Sequence, residues 1–103
     1  MSHAQAIDLI QAALHERNAL SRAFFDQEAY RLAEVCRQMS ERFLAGGRLL
    51  AFGQGAYATD AEHVSVEFVH PVIVGKRALP ALDLSLHFQP WLEALLRPED
   101  MVM

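Results

Sequence analysis

The chain has little of what marks most specialised proteins. It has one cysteine, one tryptophan, five glycines, four prolines and no cluster among its nine lysines and arginines. A single cysteine, Cys36, cannot form an internal disulfide; its helical apolar spacing predicts a buried thiol in a cytoplasmic protein. No apolar run approaches the roughly 20 residues that span a bilayer, and the N-terminus has no basic–apolar–small pattern of a secretory leader. A net charge of −4 with scattered basic residues argues against nucleic acid, whose phosphates are held by grouped lysine and arginine. What remains is a chain of 103 residues, 52% hydrophobic and 21% charged. That is the composition and size of one folded domain.

Hydrophobic periodicity divides it. Residues 1–45 read as a helical hairpin. Ser2 and Gln5 form a capping box before a first helix to about Phe25, whose stripe is Ile7, Ile10, Leu14, Leu20 and Phe24. Asp26 is placed to cap a second helix, with Leu32, Cys36, Met39 and Phe43 along one face and Gly46-Gly47 ending it. Residues 46–103 read as the start of an α/β sheet. Leu49–Phe52 is a continuous apolar run, as in a strand buried on both faces of a parallel sheet. Thr59-Asp60-Ala61-Glu62 reads as a capping box for a helix stopped by Pro71 at the latest. Ala81–Ser85 is a second strand with Asp83 an unusual polar guest, and Val72–Val74 is either strand or loop. Pro90 to about Leu96 is a short helix, Met101–Met103 opens a third strand, and Phe88 and Trp91 read as core or interface anchors, or as aromatics flanking a ligand in the loop after a strand. The resulting class is a layered α/β fold with a parallel sheet and flanking helices behind the hairpin.

Between the first strand and the helix after it lies Gly53-Gln54-Gly55-Ala56-Tyr57. A strand–Gly-x-Gly–helix junction directs backbone N–H groups and the positive end of the helix dipole at one point, which suits a phosphate. A tight turn also needs glycine for purely structural reasons. On the helix, Asp60, His63, Glu67 and His70 share one face, while Ala61, Val64 and Phe68 form an apolar one. His63 and Glu67, four apart, can share a metal ion or move a proton. They also make an ordinary surface pair worth roughly 0.2–0.5 kcal/mol, and on spacing alone that reading comes first. His3, His15 and His87 are isolated and carry no role.

The stretch AGGRLLAFGQGAYATDAEHVSVEFV followed by ALPALDLS resembles the opening half of a sugar isomerase (SIS) domain. Its nearest resemblance is to phosphoheptose isomerases and the related replication-initiator-associating proteins. Those carry A-G-G-K, a strand, G-N-G-G-S, D-A-x-H-x-x-x-E and then a P-A strand, behind two N-terminal helices. The resemblance implies a flavodoxin-like SIS fold, truncated here after the third strand. It implies that Gly53, Gln54, Gly55, Ala56 and Tyr57 face a phosphorylated sugar. It makes His63 and Glu67 zinc ligands, with Glu67 also the acid–base group of aldose–ketose isomerisation. It further implies a cytoplasmic dimer or tetramer assembled through the N-terminal helices. Three departures stand out: Tyr57 replaces the family's small hydroxyl residue, the stretch from Leu86 to Trp91 is shorter than its family counterpart, and the sequence ends before the Ser/Thr-rich phosphate loop and the remaining zinc ligands. The expectation is therefore a phosphosugar-binding domain that is not catalytic as this chain alone. The alternative is a non-catalytic scaffold making oligomer or protein contacts.

Overall fold

The computed structural model describes all 103 residues. The chain divides into two compact units, Met1–Cys36 and Arg37–Met103. The first unit is helical from His3 onward, within helix α1 (His3–Leu44). The predicted capping box is present: Ser2 N donates to Gln5 Oε1 at 2.7 Å, and Gln5 N donates to Ser2 Oγ at 3.2 Å. The helical hairpin is not. Helix continues through Asp26, because the sequence has neither glycine nor proline before Gly46 and a lone aspartate costs a helix interior only about 0.7 kcal/mol. No residue of α1 is buried. Cys36 is exposed, correcting the buried thiol expected from its spacing.

In the second unit, α1 ends in a Schellman turn. Gly46 takes φ +88°; Gly47 N donates to Arg42 O at 2.9 Å and Gly46 N to Phe43 O at 3.1 Å, so the last carbonyls are satisfied. Three parallel strands follow: β1 (Leu49–Ala51), β2 (Ala81–Asp83) and β3 (Met101–Val102). Their order is β2-β1-β3, with Leu49 opposite both Ala81 and Met101. The apolar run thus becomes the central strand, as a stretch hydrophobic on both faces must. Leu49, Leu50 and Ala51 are all buried.

Helix α2 (Tyr57–Val69) packs on β1 and β2 through Ala61 and Ser65, both buried. Ser65 returns its hydroxyl to Ala61 O at 2.9 Å, so the buried polar group is satisfied. Phe68 on the same face meets Phe43 with ring centroids 5.8 Å apart. The predicted capping box at Thr59 does not form; α2 starts earlier and has no side-chain cap. Its first N–H groups are taken by the glycine turn itself, Tyr57 N donating to Gln54 O and Ala58 N to Gly55 O at 3.1 and 3.2 Å. Val72–Val74 is turn rather than strand. Helix α3 (Phe88–Leu95) leads into β3, and no helix is long and apolar enough to cross a membrane.

One ion pair ties the sheet together. Arg48 and Asp100, just before β1 and β3, meet through Arg48 N to Asp100 Oδ1 at 2.8 Å, Nε to Oδ1 at 3.2 Å and Nη2 to Oδ2 at 2.7 Å. Arg97 N adds a bond to Oδ2 at 3.0 Å, and Arg48 also reaches Leu95 O at 2.7 Å. The Asp100 side chain is fully buried and that of Arg48 is 16% exposed. The Arg48 side-chain hydrogen bond, against burial and with help from backbone N–H groups, lowers the Asp100 carboxyl from 3.8 to about 2.

Candidate functional site

The carboxyl ends of β1 and β2 build a cleft. After β1 the chain turns through Gly53, Gln54 and Gly55; after β2 it runs through Ser85 to Pro90 and enters α3. Gly53, Gln54, Gly55 and Ala58 line one side, and residues 85–90 line the other. Gly53 is required here by contact: a Cβ at that position would lie 2.3 Å from Tyr57 O and 2.5 Å from Tyr57 C. Gly55 is required by conformation, with φ +60° and open space around it. Under the cleft, Phe52 and Phe88 stack with centroids 4.5 Å apart and rings 6° from parallel. That contact fixes where α3 begins and gives Phe88 its place.

The two sides are joined by hydrogen bonds that the sequence pattern did not announce. Gly53 N donates to Ser85 Oγ at 3.1 Å, and Ser85 Oγ donates to Asp83 Oδ1 at 2.6 Å. Ser85 N also donates to Asp83 Oδ1, at 3.0 Å. This is the Asx-turn geometry of an aspartate two residues before its partner. Asp83, odd as a strand residue, is thus the residue that turns the chain out of β2. An Asp-x-Ser at the end of a strand is the available signal for it.

Of the expected sugar-phosphate residues, Gly53, Gln54 and Gly55 line the cleft; Ala56 and Tyr57 are exposed beside it and are not part of its wall. The wall includes His87 and Gln89, which sequence reasoning left without a role, and it contains no Lys, Arg, Asp or Glu.

His63 and Glu67 meet on the exposed side of α2, with Nε2 to Oε1 at 3.1 Å and side chains 72% and 45% exposed. Glu67 lines a separate depression with Pro71, Lys76 and Arg77, and the rise from Tyr57 to Glu67 is about 15 Å along the helix. An imidazole nitrogen and a carboxylate oxygen are suitable zinc donors, but no group of three or more His, Cys, Asp and Glu side chains is gathered to hold a metal. Two donors fall short of the three protein ligands of a catalytic zinc site, so the pair fits zinc only as part of a larger ligand set.

An open parallel sheet with a glycine turn and a cleft beyond its strand ends is an α/β ligand-binding architecture. No family model matches the chain. It is 36% identical over 80 residues to the phosphoheptose isomerase of Desulfovibrio desulfuricans, covering 78% of this chain and 38% of that protein. It is 35% identical over 79 residues to that of Pelobacter propionicus, covering 77% and 42%. With that of Roseiflexus sp. it shares 30% identity over 113 aligned residues, covering 94% and 55%. Over these stretches the chain is similar to the N-terminal part of phosphoheptose isomerases. It spans about two fifths of the length of the first two relatives.

Proposed function

We propose that this chain is a phosphosugar-binding domain whose ligand sits in the cleft between the glycine turn and the β2–α3 loop, and that it is not an isomerase by itself. The observation that carries the binding site is the cleft at the carboxyl ends of β1 and β2, with Gly53, Gln54 and Gly55 in its wall. The isomerase names of the relatives supply the ligand class. What supports binding without catalysis is the position of Glu67. A proton-shuttling carboxylate must reach the reacting carbon to about hydrogen-bond distance, and Glu67 lies outside the cleft wall. A cytoplasmic location goes with this reading, and fractionation of cells expressing the chain checks it.

The test is a thermal melt of the purified chain with and without sedoheptulose 7-phosphate. A ligand at 100 times its Kd adds about 2.7 kcal/mol, and each kcal/mol moves the midpoint of a small domain by roughly 4–8 °C. A rise of about 10 °C or more is expected. An unchanged midpoint at saturating millimolar sugar phosphate removes the reading.

His63 and Glu67 are proposed as two zinc ligands. Bound there, zinc would act as a Lewis acid toward a carbonyl oxygen. Within the chain itself, Glu67 accepts from the His63 ring and orients it. His63→Ala and Glu67→Ala are each expected to abolish stoichiometric zinc measured by elemental analysis after dialysis. Equal zinc in both variants and the parent would rule the pair out.

A second reading, self-association through α1, is favoured by one observation. The helix buries no residue, yet Ile7, Ile10, Leu14 and Leu20 on its stripe are all at least half exposed. Apolar surface of that extent marks a contact face, and a helix bundle between copies would cover it. Light scattering should give a dimer or tetramer that Ile10→Glu with Leu14→Glu dissociates; a monomeric parent chain would end this reading.

A further inference from the structure

We propose that Asp83 is a positioning residue that locks Ser85 as a hydrogen-bond acceptor on the cleft wall, so that this wall takes a hydroxyl group of a polyol and excludes a phosphate oxygen. This rests on the cleft being the phosphosugar site and names which part of the ligand meets it. A serine hydroxyl has one proton and two lone pairs, whereas a carboxylate only accepts. The Ser85 proton is committed to Asp83 Oδ1 at 2.6 Å, the short distance of a charge-assisted bond. One lone pair takes the Gly53 N–H at 3.1 Å. What Ser85 has left to offer is a second lone pair.

That remaining lone pair attracts an O–H and repels an anionic oxygen. The rest of the wall points the same way. Gln54, His87 and Gln89 supply polar groups, Phe88 an apolar floor, and no lysine or arginine is there to neutralise a phosphate. The lock also consumes the Gly53 N–H, one of the backbone donors that an anion at this turn would otherwise use. The uncharged, hydroxyl-bearing end of the sugar is therefore the part that fits between Gly53 and Ser85.

Amide-resolved NMR on the intact chain tests this with two separate probes, sedoheptulose without phosphate and inorganic phosphate without sugar. In the parent chain, sedoheptulose should shift the Gly53 and Ser85 amides and phosphate at equal concentration should not. In Asp83→Ala the Ser85 hydroxyl is released. Phosphate should then shift both amides, and Gly53 N–H exchange should quicken at least tenfold. Asp83→Asn keeps an acceptor oxygen and should restore the protection, which separates the lock from a general loss of folding. Phosphate shifting the parent amides as strongly as sedoheptulose, or Gly53 exchange unchanged in Asp83→Ala, would overturn the assignment. If neither sedoheptulose nor sedoheptulose 7-phosphate binds the parent chain, the ligand-binding reading fails with the choice of ligand group. The exchange rate of Gly53 would still decide the lock.

Discussion

Asp100→Ala is expected to lower the melting temperature by about 12 °C or more. Removing one member of a buried ion pair leaves the other charge uncompensated, at a cost of about 3–5 kcal/mol, and each kcal/mol is worth roughly 4–8 °C in a domain of this size. The Asp100 side chain is wholly inaccessible, and its two oxygens accept from Arg48 and from the backbone N–H groups of Arg48 and Arg97. Losing it frees the loop that brings β3 to β1. The same residue sets an acid limit. Its carboxyl is lowered to about 2 in the folded chain from an ordinary 3.8. A depressed folded value contributes stability above the unfolded pKa, and that stability is lost as pH falls through the folded value. The parent chain should therefore lose roughly 2 kcal/mol between about pH 5 and pH 2 from this group, and Asp100→Ala should lack that part of the pH dependence. Melts of both proteins from pH 7 to pH 2.5 measure it. Parallel curves with equal midpoints would show that the pair holds nothing together.

Gly53→Ala is expected to cost about 1–3 kcal/mol, the range for forcing atoms into a packed position, and to weaken sugar-phosphate binding at least tenfold. The new methyl would sit 2.3 Å from the Tyr57 carbonyl oxygen, so the first turn of α2 must move away from β1. That shift carries Gln54 and Gly55 with it and breaks the Gly53–Ser85 bond across the cleft. Gly55→Ala makes the useful contrast. It meets no atom within 4 Å but has φ +60°, so its cost is backbone strain of about 1–2 kcal/mol. Calorimetric titration of both variants separates the two effects. Affinity retained in Gly53→Ala would mean the ligand does not depend on the turn's close approach to α2.

Periodicity and turn chemistry carried the sheet. Leu49–Ala51 reads as buried strand from its unbroken apolar run, and the buried face of α2 from Ala61, Val64 and Phe68. Asp26 has the chemistry of a cap, but helix termination needs a breaker and the first glycine is Gly46, so one helix runs where a hairpin is expected. The Thr59 cap failed for a related reason: the carbonyls of Gln54 and Gly55 reach the first N–H groups before a side chain is needed. Cys36 shows that a helical stripe marks a face without saying what covers it. Arg48 with Asp100 and Gly53 with Ser85 lie 52 and 32 residues apart, and local pattern has no reach over such separations. Within the candidate site, the glycine turn is legible and the Asp83–Ser85 turn is local, but the bond from Gly53 to Ser85 that joins the two walls exists only once β1 and β2 stand side by side.

The cleft between Gly53–Gly55 and Ser85–Gln89 is proposed above to hold a phosphorylated sugar. Titration of the isotope-labelled chain with sedoheptulose 7-phosphate, followed amide by amide, is the experiment that tests this. Saturating shifts confined to residues 53–58 and 85–90 are predicted. Shifts centred instead on His63, Glu67 and the Pro71–Arg77 loop, with the glycine turn unmoved, would contradict it.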